Sequence, residues 1–182
     1  IFDNDGTLAL SMALHFEAWQ HAYRNNGGSF TLTREFAQSL AGVCMLETVR
    51  RVNAAFGESM DPEKVVEDQE AFYRSNLHRV PPNPPVVAFA RRMAKTHPVS
   101  VASGGVWKTV TKTLEAIQMH DIFEIVVTQD QVKRSKPAPD LFLEAAKRMG
   151  VKPSKCLVFE DGQLGMQAAE AAGMQAVLVQ AG

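Results

Sequence analysis

Apolar residues follow two rhythms along this chain. Short continuous runs rich in β-branched residues occur at "PVSVAS" (98–103), "EIVVT" (124–128), "CLVFE" (156–160) and "AVLVQ" (176–180), and a fifth opens the chain at Ile1 to Asp5. Between the later runs, "VWKTVTKTLEAIQM", "APDLFLEAAKRMG" and "QLGMQAAEAAGM" carry apolar residues at helical spacing. In the second of these, Leu141, Phe142, Ala145, Ala146 and Met149 share one face, and Gly150 marks a C-terminal stop. Uninterrupted apolar strands alternating with amphipathic helices predict an α/β fold, a parallel sheet covered by helices on both sides.

Residues 11–80 break the alternation. Their periodicity predicts helices at about 12–26, 33–40, 45–57 and 62–78, with "NNGG" as the first turn and "DPEK" as a helix start. This is an all-α insertion. It ends in "VPPNPP", where Pro81, Pro82, Pro84 and Pro85 argue against helix and for a stiff, extended return to the sheet. Together with Leu8 to Ser11, that return is expected to form a hinge pair between a core (1–10 and 81–182) and a helical cap (11–80).

A chain of 182 residues with 46% hydrophobic content can bury one substantial core and a small second module. Lysine plus arginine number 19 and aspartate plus glutamate 20, a net charge of −1 that leaves no basic surplus for nucleic acid or an anionic membrane. An anionic small molecule would have to be held by local charge. Cys44 and Cys156 lie far apart without metal-ligand spacing, so reduced thiols and a cytoplasmic location are expected. No apolar run is long enough to span a bilayer, and no segment reads as a signal peptide. The abrupt start at Ile1 suggests that a few residues precede it. Nothing in the pattern demands an oligomer, and a monomer is the simpler expectation.

Ligands of open parallel sheets bind beyond the carboxyl ends of the strands. The sequence places Asp3-Asn4-Asp5-Gly6-Thr7 at one such end, Ser103-Gly104-Gly105 at a second and Glu160-Asp161-Gly162 at a third, with Lys136 in the loop "RSKPAPD". Hard carboxylate oxygens suit Mg²⁺, and the chemistry that combines Mg²⁺, a lysine and carboxylates is phosphoryl transfer. In that reading Mg²⁺ and Lys136 offset the repulsion between an attacking Asp3 and a phosphate, and Ser103 with nearby amides holds the phosphate oxygens. Asp5, two residues on and so on the same side of an extended segment, serves as general acid and base.

With these motifs the sequence resembles the haloacid dehalogenase superfamily over nearly its whole length. "DNDGTL" looks like the DxDGT signature, "ASGG" the second motif, "SKPAPD" the lysine motif and "FEDGQLGMQAAEAAGM" the acidic fourth motif. The resemblance implies a Rossmann-like core with an inserted helical cap, and an aspartyl-phosphate intermediate. Asp3 would be the nucleophile, Asp5 the acid/base, Ser103 and Gly104 phosphate ligands and Lys136 the charge partner of Asp3. Mg²⁺ would be held by Asp3, the Asp5 carbonyl and Asp161, with Glu160 assisting. The second aspartate excludes true dehalogenases.

The insertion, with "HFEAW" at 15–19, is similar to the cap of the β-phosphoglucomutase-like branch, and His15 with Trp19 is a candidate lining of its substrate side. Three departures bear on activity. Met45, in the segment after Gly42, stands where the mutases carry an arginine for a second phosphate. Leu10 and Ala13 replace an acidic pair, and Gly162 replaces a serine. The expected function is therefore Mg²⁺-dependent hydrolysis of a small phosphomonoester, with a sugar phosphate the first choice. A hexose phosphate mutase and a non-catalytic metabolite- or partner-binding protein are the alternatives.

Overall fold

A computed structural model of the 182-residue chain describes residues 1–40 and 43–180. The β-branched runs form β1 (Ser100–Ser103), β2 (Ile125–Thr128), β3 (Leu157–Glu160) and β4 (Gln175–Leu178). β1 pairs with β2 in parallel, Ser100 opposite Ile125 and Ser103 opposite Thr128. β3 pairs with β4 in the same sense, Leu157 opposite Gln175 and Glu160 opposite Leu178. Phe2 joins the two pairs, bridging Val101 on one side and Phe159 on the other. Its amide donates to the Ser100 carbonyl at 2.9 Å, and the Asp3 amide donates to the Phe159 carbonyl at 2.9 Å. The N-terminal segment is therefore the middle of the sheet. The strand order β2, β1, N-terminal segment, β3, β4 reverses at that segment, which puts the ligand-binding crevice beside Asp3.

Neighbouring residues of each strand turn to opposite faces, so both must be apolar. Phe2, Val101 and Val126 meet Ala90 of α5 (Pro84–Met93) and Val110 and Leu114 of α6 (Trp107–Ala116). Ile1, Ala102, Val127 and Val158 meet Leu141, Phe142 and Ala145 of α7 (Asp140–Met149) and Ala168 of α8 (Gln163–Ala171). Phe2 stacks on Phe159 with ring centroids 4.8 Å apart, sealing the centre of the first face. The predicted covering of both faces holds for the inner strands. It does not hold for β4, an edge strand whose Val177 and Leu178 are 42% and 57% exposed.

Residues 12–75 form α1 (Met12–Asn25), α2 (Arg34–Ser39), α3 (Met45–Phe56) and α4 (Pro62–Ser75), followed by a short 3-10 turn at Leu77–Arg79. Thr33 accepts from the Phe36 amide and Asp61 from the Glu63 amide at the starts of α2 and α4. These helices share their own apolar cluster, which includes Tyr23, Val49, Val52 and Val65. Gly42, in the segment compared above with the mutases, lies outside the described residues.

The proline-rich return departs from expectation. Pro84 and Pro85 do not prevent a helix; they start α5, occupying its first turn, where no amide hydrogen is needed and a fixed φ is already helical. Pro81 and Pro82 do stay extended. Ala9 bridges Pro82 antiparallel, the Leu10 amide donates to the Pro81 carbonyl at 2.9 Å, and the Asn83 amide donates to the Leu8 carbonyl at 2.8 Å. The two connections to the helical module thus run side by side as a narrow ribbon. Among the described residues no helix is long and apolar enough to cross a membrane.

Candidate active site

The first motif reaches the site because its chain turns tightly. The amides of Leu8 and Ala9 both donate to the Asn4 carbonyl at 3.0 Å, and Gly6 sits at the centre with φ 84°. A side-chain carbon on Gly6 would stand 1.9 Å from Asp161 Oδ2. Only glycine lets the turn adopt this φ and lie against the end of β3.

Lys136 enters from the loop after β2. Its Nζ donates to Asp3 Oδ1 at 2.6 Å and also to Glu160 Oε1. The Lys136 and Asp3 side chains are each 8% exposed, so the pair is shielded from solvent screening. Burial alone would lower the lysine pKa; the Asp3 and Glu160 charges outweigh it and hold the ammonium protonated. Burial pushes the Asp3 carboxyl well above the usual carboxylate range, against the pull of Lys136 and with the like charges of Glu160 and Asp161 adding to the rise.

One carboxylate oxygen from each of Asp3, Glu160 and Asp161 lies within 4.8 Å of the others. Burial, with the Glu160 charge beside it, raises Asp161 to about 6. When all are ionised, three carboxylates and one ammonium leave two uncompensated negative charges, the charge of one divalent cation. The all-oxygen donor set fits a hard ion such as Mg²⁺. The three acids are not equivalent within it. Glu160 Oε1 takes Lys136, and Oε2 accepts from the Gly162 amide at 2.8 Å. A carbon added to Gly165, in the first turn of α8, would come within 1.9 Å of Oε1, so the Glu160 carboxylate rests against that helix. Glu160 is suited to orienting the lysine. Asp3 and Asp161 keep carboxylate oxygens for an ion; among the described residues the Asp161 carboxylate has one weak side-chain hydrogen bond, from Thr7 Oγ1 at 3.5 Å.

Asp5 is held differently. Its Oδ1 accepts from Ser11 Oγ at 2.7 Å and from the Tyr73 hydroxyl at 3.2 Å, and His15 Nε2 lies 3.1 Å away. Burial would raise this carboxyl. The His15 charge and the hydrogen bonds from His15 and Ser11 prevail and keep it well below the usual range. The His15 ring stacks on Tyr73 with centroids 3.9 Å apart, and the Gln69 amide lies 3.3 Å from Nδ1.

Ser103 ends β1, 1% exposed, with its Oγ accepting from the Gly105 amide at 3.0 Å. Its hydroxyl proton remains to donate. Gly104 is exposed beside it. A carbon added to Gly105 would stand 3.4 Å from Ser103 Oγ and 3.9 Å from Asp5 Oδ2, so these two side chains flank one spot. The structure therefore gathers Asp3, Lys136, Glu160 and Asp161 around one point, with Asp5 and Ser103 beside it. His15 and Trp19 part company: His15 turns to Asp5, whereas Trp19 stacks on Tyr23 at 5.4 Å and packs with the helical cluster. Met45 opens α3 half-buried, Leu10 is half-buried in the ribbon, and Ala13 is exposed. Ser11, Gln69 and Tyr73 were not legible in the motifs. Ser11 offered one signal, its place six residues after Asp5 at the start of a helix; Gln69 and Tyr73 offered none, since both look like ordinary α4 residues.

Comparison with known proteins places the chain among its relatives. The chain is 33% identical over 97% of its length to fructose-1-phosphate phosphatase YqaB of Escherichia coli, covering 93% of that protein. It is 27% identical over 97% of its length to β-phosphoglucomutase of Bacillus subtilis, covering 80% of it. The crystal structure of a hydrolase from Pseudomonas syringae, 28% identical, superposes with a TM-score of 0.85 across 97% of this chain and 82% of that one. Residues 1–179 match the model of the haloacid dehalogenase-like hydrolases, and the chain is a member of that family.

Proposed function

We propose that this hydrolase removes phosphate from a small phosphomonoester, a sugar phosphate by preference, through an aspartyl-phosphate on Asp3. The observation that carries the reading is the meeting of Asp3, Lys136 and Asp161 at the switch point of the sheet, with Asp5 and Ser103 beside them. The E. coli relative named as a fructose-1-phosphate phosphatase supports the substrate class.

Lys136 holds Asp3 Oδ1, and Oδ2, which has no hydrogen-bond partner among the described residues, attacks phosphorus. The bond to the sugar oxygen breaks, and Asp5 gives that oxygen a proton; the negative phosphate beside it favours its neutral form in the complex. Ser103 donates to a phosphate oxygen throughout. Asp5 then takes a proton from water as the water oxygen attacks phosphorus, the bond to Asp3 breaks, and inorganic phosphate leaves. Mg²⁺, held by Asp3, Asp161 and the Asp5 carbonyl, would neutralise negative charge on the transferring group. Residues 11–80 would act as a cap that excludes water during the first half and reopens for product, with the ribbon at residues 8–10 and 81–83 as its hinge.

The relative named β-phosphoglucomutase keeps a hexose phosphate mutase in view. A mutase must hold a second phosphate, and Met45 offers no cation for one. A non-catalytic role is disfavoured because the nucleophile, acid/base, lysine and acidic positions are all filled.

The test is phosphate release from sugar phosphates, polyol phosphates, phosphoglycolate and nucleotides, with Mg²⁺ and with chelator. Release from a sugar phosphate that requires Mg²⁺ and vanishes in Asp3→Asn is expected. Full turnover by Asp3→Asn, or conversion of glucose 1-phosphate to glucose 6-phosphate faster than release, would overturn the reading.

A further inference from the structure

The two oxygens of the Asp5 carboxylate meet different surroundings. Oδ1 faces three donors, Ser11 Oγ at 2.7 Å, His15 Nε2 at 3.1 Å and the Tyr73 hydroxyl at 3.2 Å. Oδ2 has no hydrogen-bond partner among the described residues and lies toward Gly105 and Ser103, on the phosphate side. All three donors belong to the helical module or its entrance: Ser11 immediately precedes α1, His15 is on α1 and Tyr73 on α4.

Protons on this network have a definite direction. The Tyr73 hydroxyl has a single proton and two neighbours, Asp5 Oδ1 and Thr113 Oγ1, each at 3.2 Å. An ionised carboxylate is the stronger acceptor, so that proton goes to Asp5. Thr113 is satisfied without it, donating to the Thr109 carbonyl at 3.0 Å. Tyr73 is fully buried, so its hydroxyl has no water to turn to in place of Asp5. The Gln69 amide nitrogen faces His15 Nδ1 at 3.3 Å, so Nδ1 accepts from it and the imidazole proton sits on Nε2, the donor toward Asp5.

We infer that Tyr73 is a positioning residue for proton transfer: with Ser11 and His15 it fixes Asp5 Oδ1, so that Oδ2 alone is presented to the bridging oxygen of the substrate. Because Tyr73 arrives on α4 and also touches Thr113 of the core helix α6, the proton carrier is aligned only when the helical module is seated on the core. A misaligned Asp5 would leave a poor leaving group without its proton, while a good leaving group departs unaided. The inference rests on the assignment of Asp5 as acid/base.

The experiment compares kcat/KM for phenyl phosphate and 4-nitrophenyl phosphate, with Mg²⁺, in the wild type, Asp5→Asn, Tyr73→Phe and Tyr23→Phe. Tyr23→Phe removes another buried phenol of the helical module; among the described residues the Asp5 side chain bonds Ser11, His15 and Tyr73 and not Tyr23. Tyr73→Phe should lower kcat/KM for phenyl phosphate by roughly tenfold or more, the scale of one charge-assisted hydrogen bond, and change the nitrophenyl ester far less. Asp5→Asn should show the same selectivity more strongly, and Tyr23→Phe none. Equal losses on both esters in Tyr73→Phe, or no loss, would overturn the inference while leaving Asp5 in place. A lack of leaving-group selectivity in Asp5→Asn would overturn the acid/base assignment itself, and with it this inference.

Discussion

Lys136 and Asp3 stand 133 positions apart in the chain, yet Nζ lies 2.6 Å from Oδ1, and the same ammonium binds Glu160. One buried cation thereby ties the loop after β2 to the middle of the sheet and to the end of β3. Its removal leaves carboxylates facing each other with little water to separate them.

Lys136→Met is therefore expected to destabilise the metal-free protein by about 3–5 kcal/mol, the scale of a buried pair that loses one partner. The deficit should be larger at pH 8 than at pH 5. Without the ammonium the acidic pKa values rise in the folded state, so protonation at low pH relieves the repulsion and high pH does not. Denaturant titrations at the two pH values measure this; an equal deficit at both would mean that the lysine matters for packing and not for charge.

Gly165→Ala should be far more damaging than an exposed helical glycine-to-alanine change. Helix propensity favours alanine by about 1 kcal/mol. The new carbon, however, would stand 1.9 Å from Glu160 Oε1, and Glu160 is fixed by Lys136 and the Gly162 amide. Overpacking of this kind costs roughly 1–3 kcal/mol. A lowered thermal midpoint with reduced phosphatase turnover is expected, and a stabilised, fully active variant would contradict the described position of Glu160.

Mg²⁺ should raise the thermal midpoint, and the increment should depend on pH. At about ten times Kd, an ion that binds only the folded state contributes about 1.4 kcal/mol, roughly 3–6 °C for a chain of this size. Asp161 must be charged to bind it, and its carboxyl is raised to about 6. Below that value a proton competes with the ion, so the Mg²⁺ increment should be full at pH 7.5 and mostly lost at pH 5. Differential scanning fluorimetry checks the pair of values; equal increments at both would remove Asp161 from the ion's ligands.

Asp3→Asn should remain folded while losing turnover. The amide keeps an oxygen for Lys136 and removes one of the crowded negative charges, so the metal-free variant is expected to melt no lower than the wild type. A melt several degrees lower would show that the ion pair outweighs the repulsion around it.

Much of this architecture was legible along the chain. The helices of residues 12–75 and the parallel strands follow from periodicity, because 3.6-residue and continuous apolar patterns are local properties. The glycine that ends α7, Gly150, takes a left-handed φ of 68° as its position implied. The prolines misled at Pro84 and Pro85, since the residue that forbids a helix interior is also favoured in its first turn, and only the neighbouring apolar stripe separates the two cases.

By itself the sequence determined the order of elements and the residue types that reach the carboxyl end of the sheet, since each strand delivers the residues that follow it. What each side chain does there was decided in three dimensions. Glu160 and Asp161 are adjacent acids until Lys136, the Gly162 amide and Gly165 engage the first and leave the second for an ion. Tyr73 is one more aromatic of α4 until the helical module folds back and sets its hydroxyl on Asp5. Hydrogen bonds and ion pairs act over a few ångströms, and which groups come that close depends on how the whole chain packs.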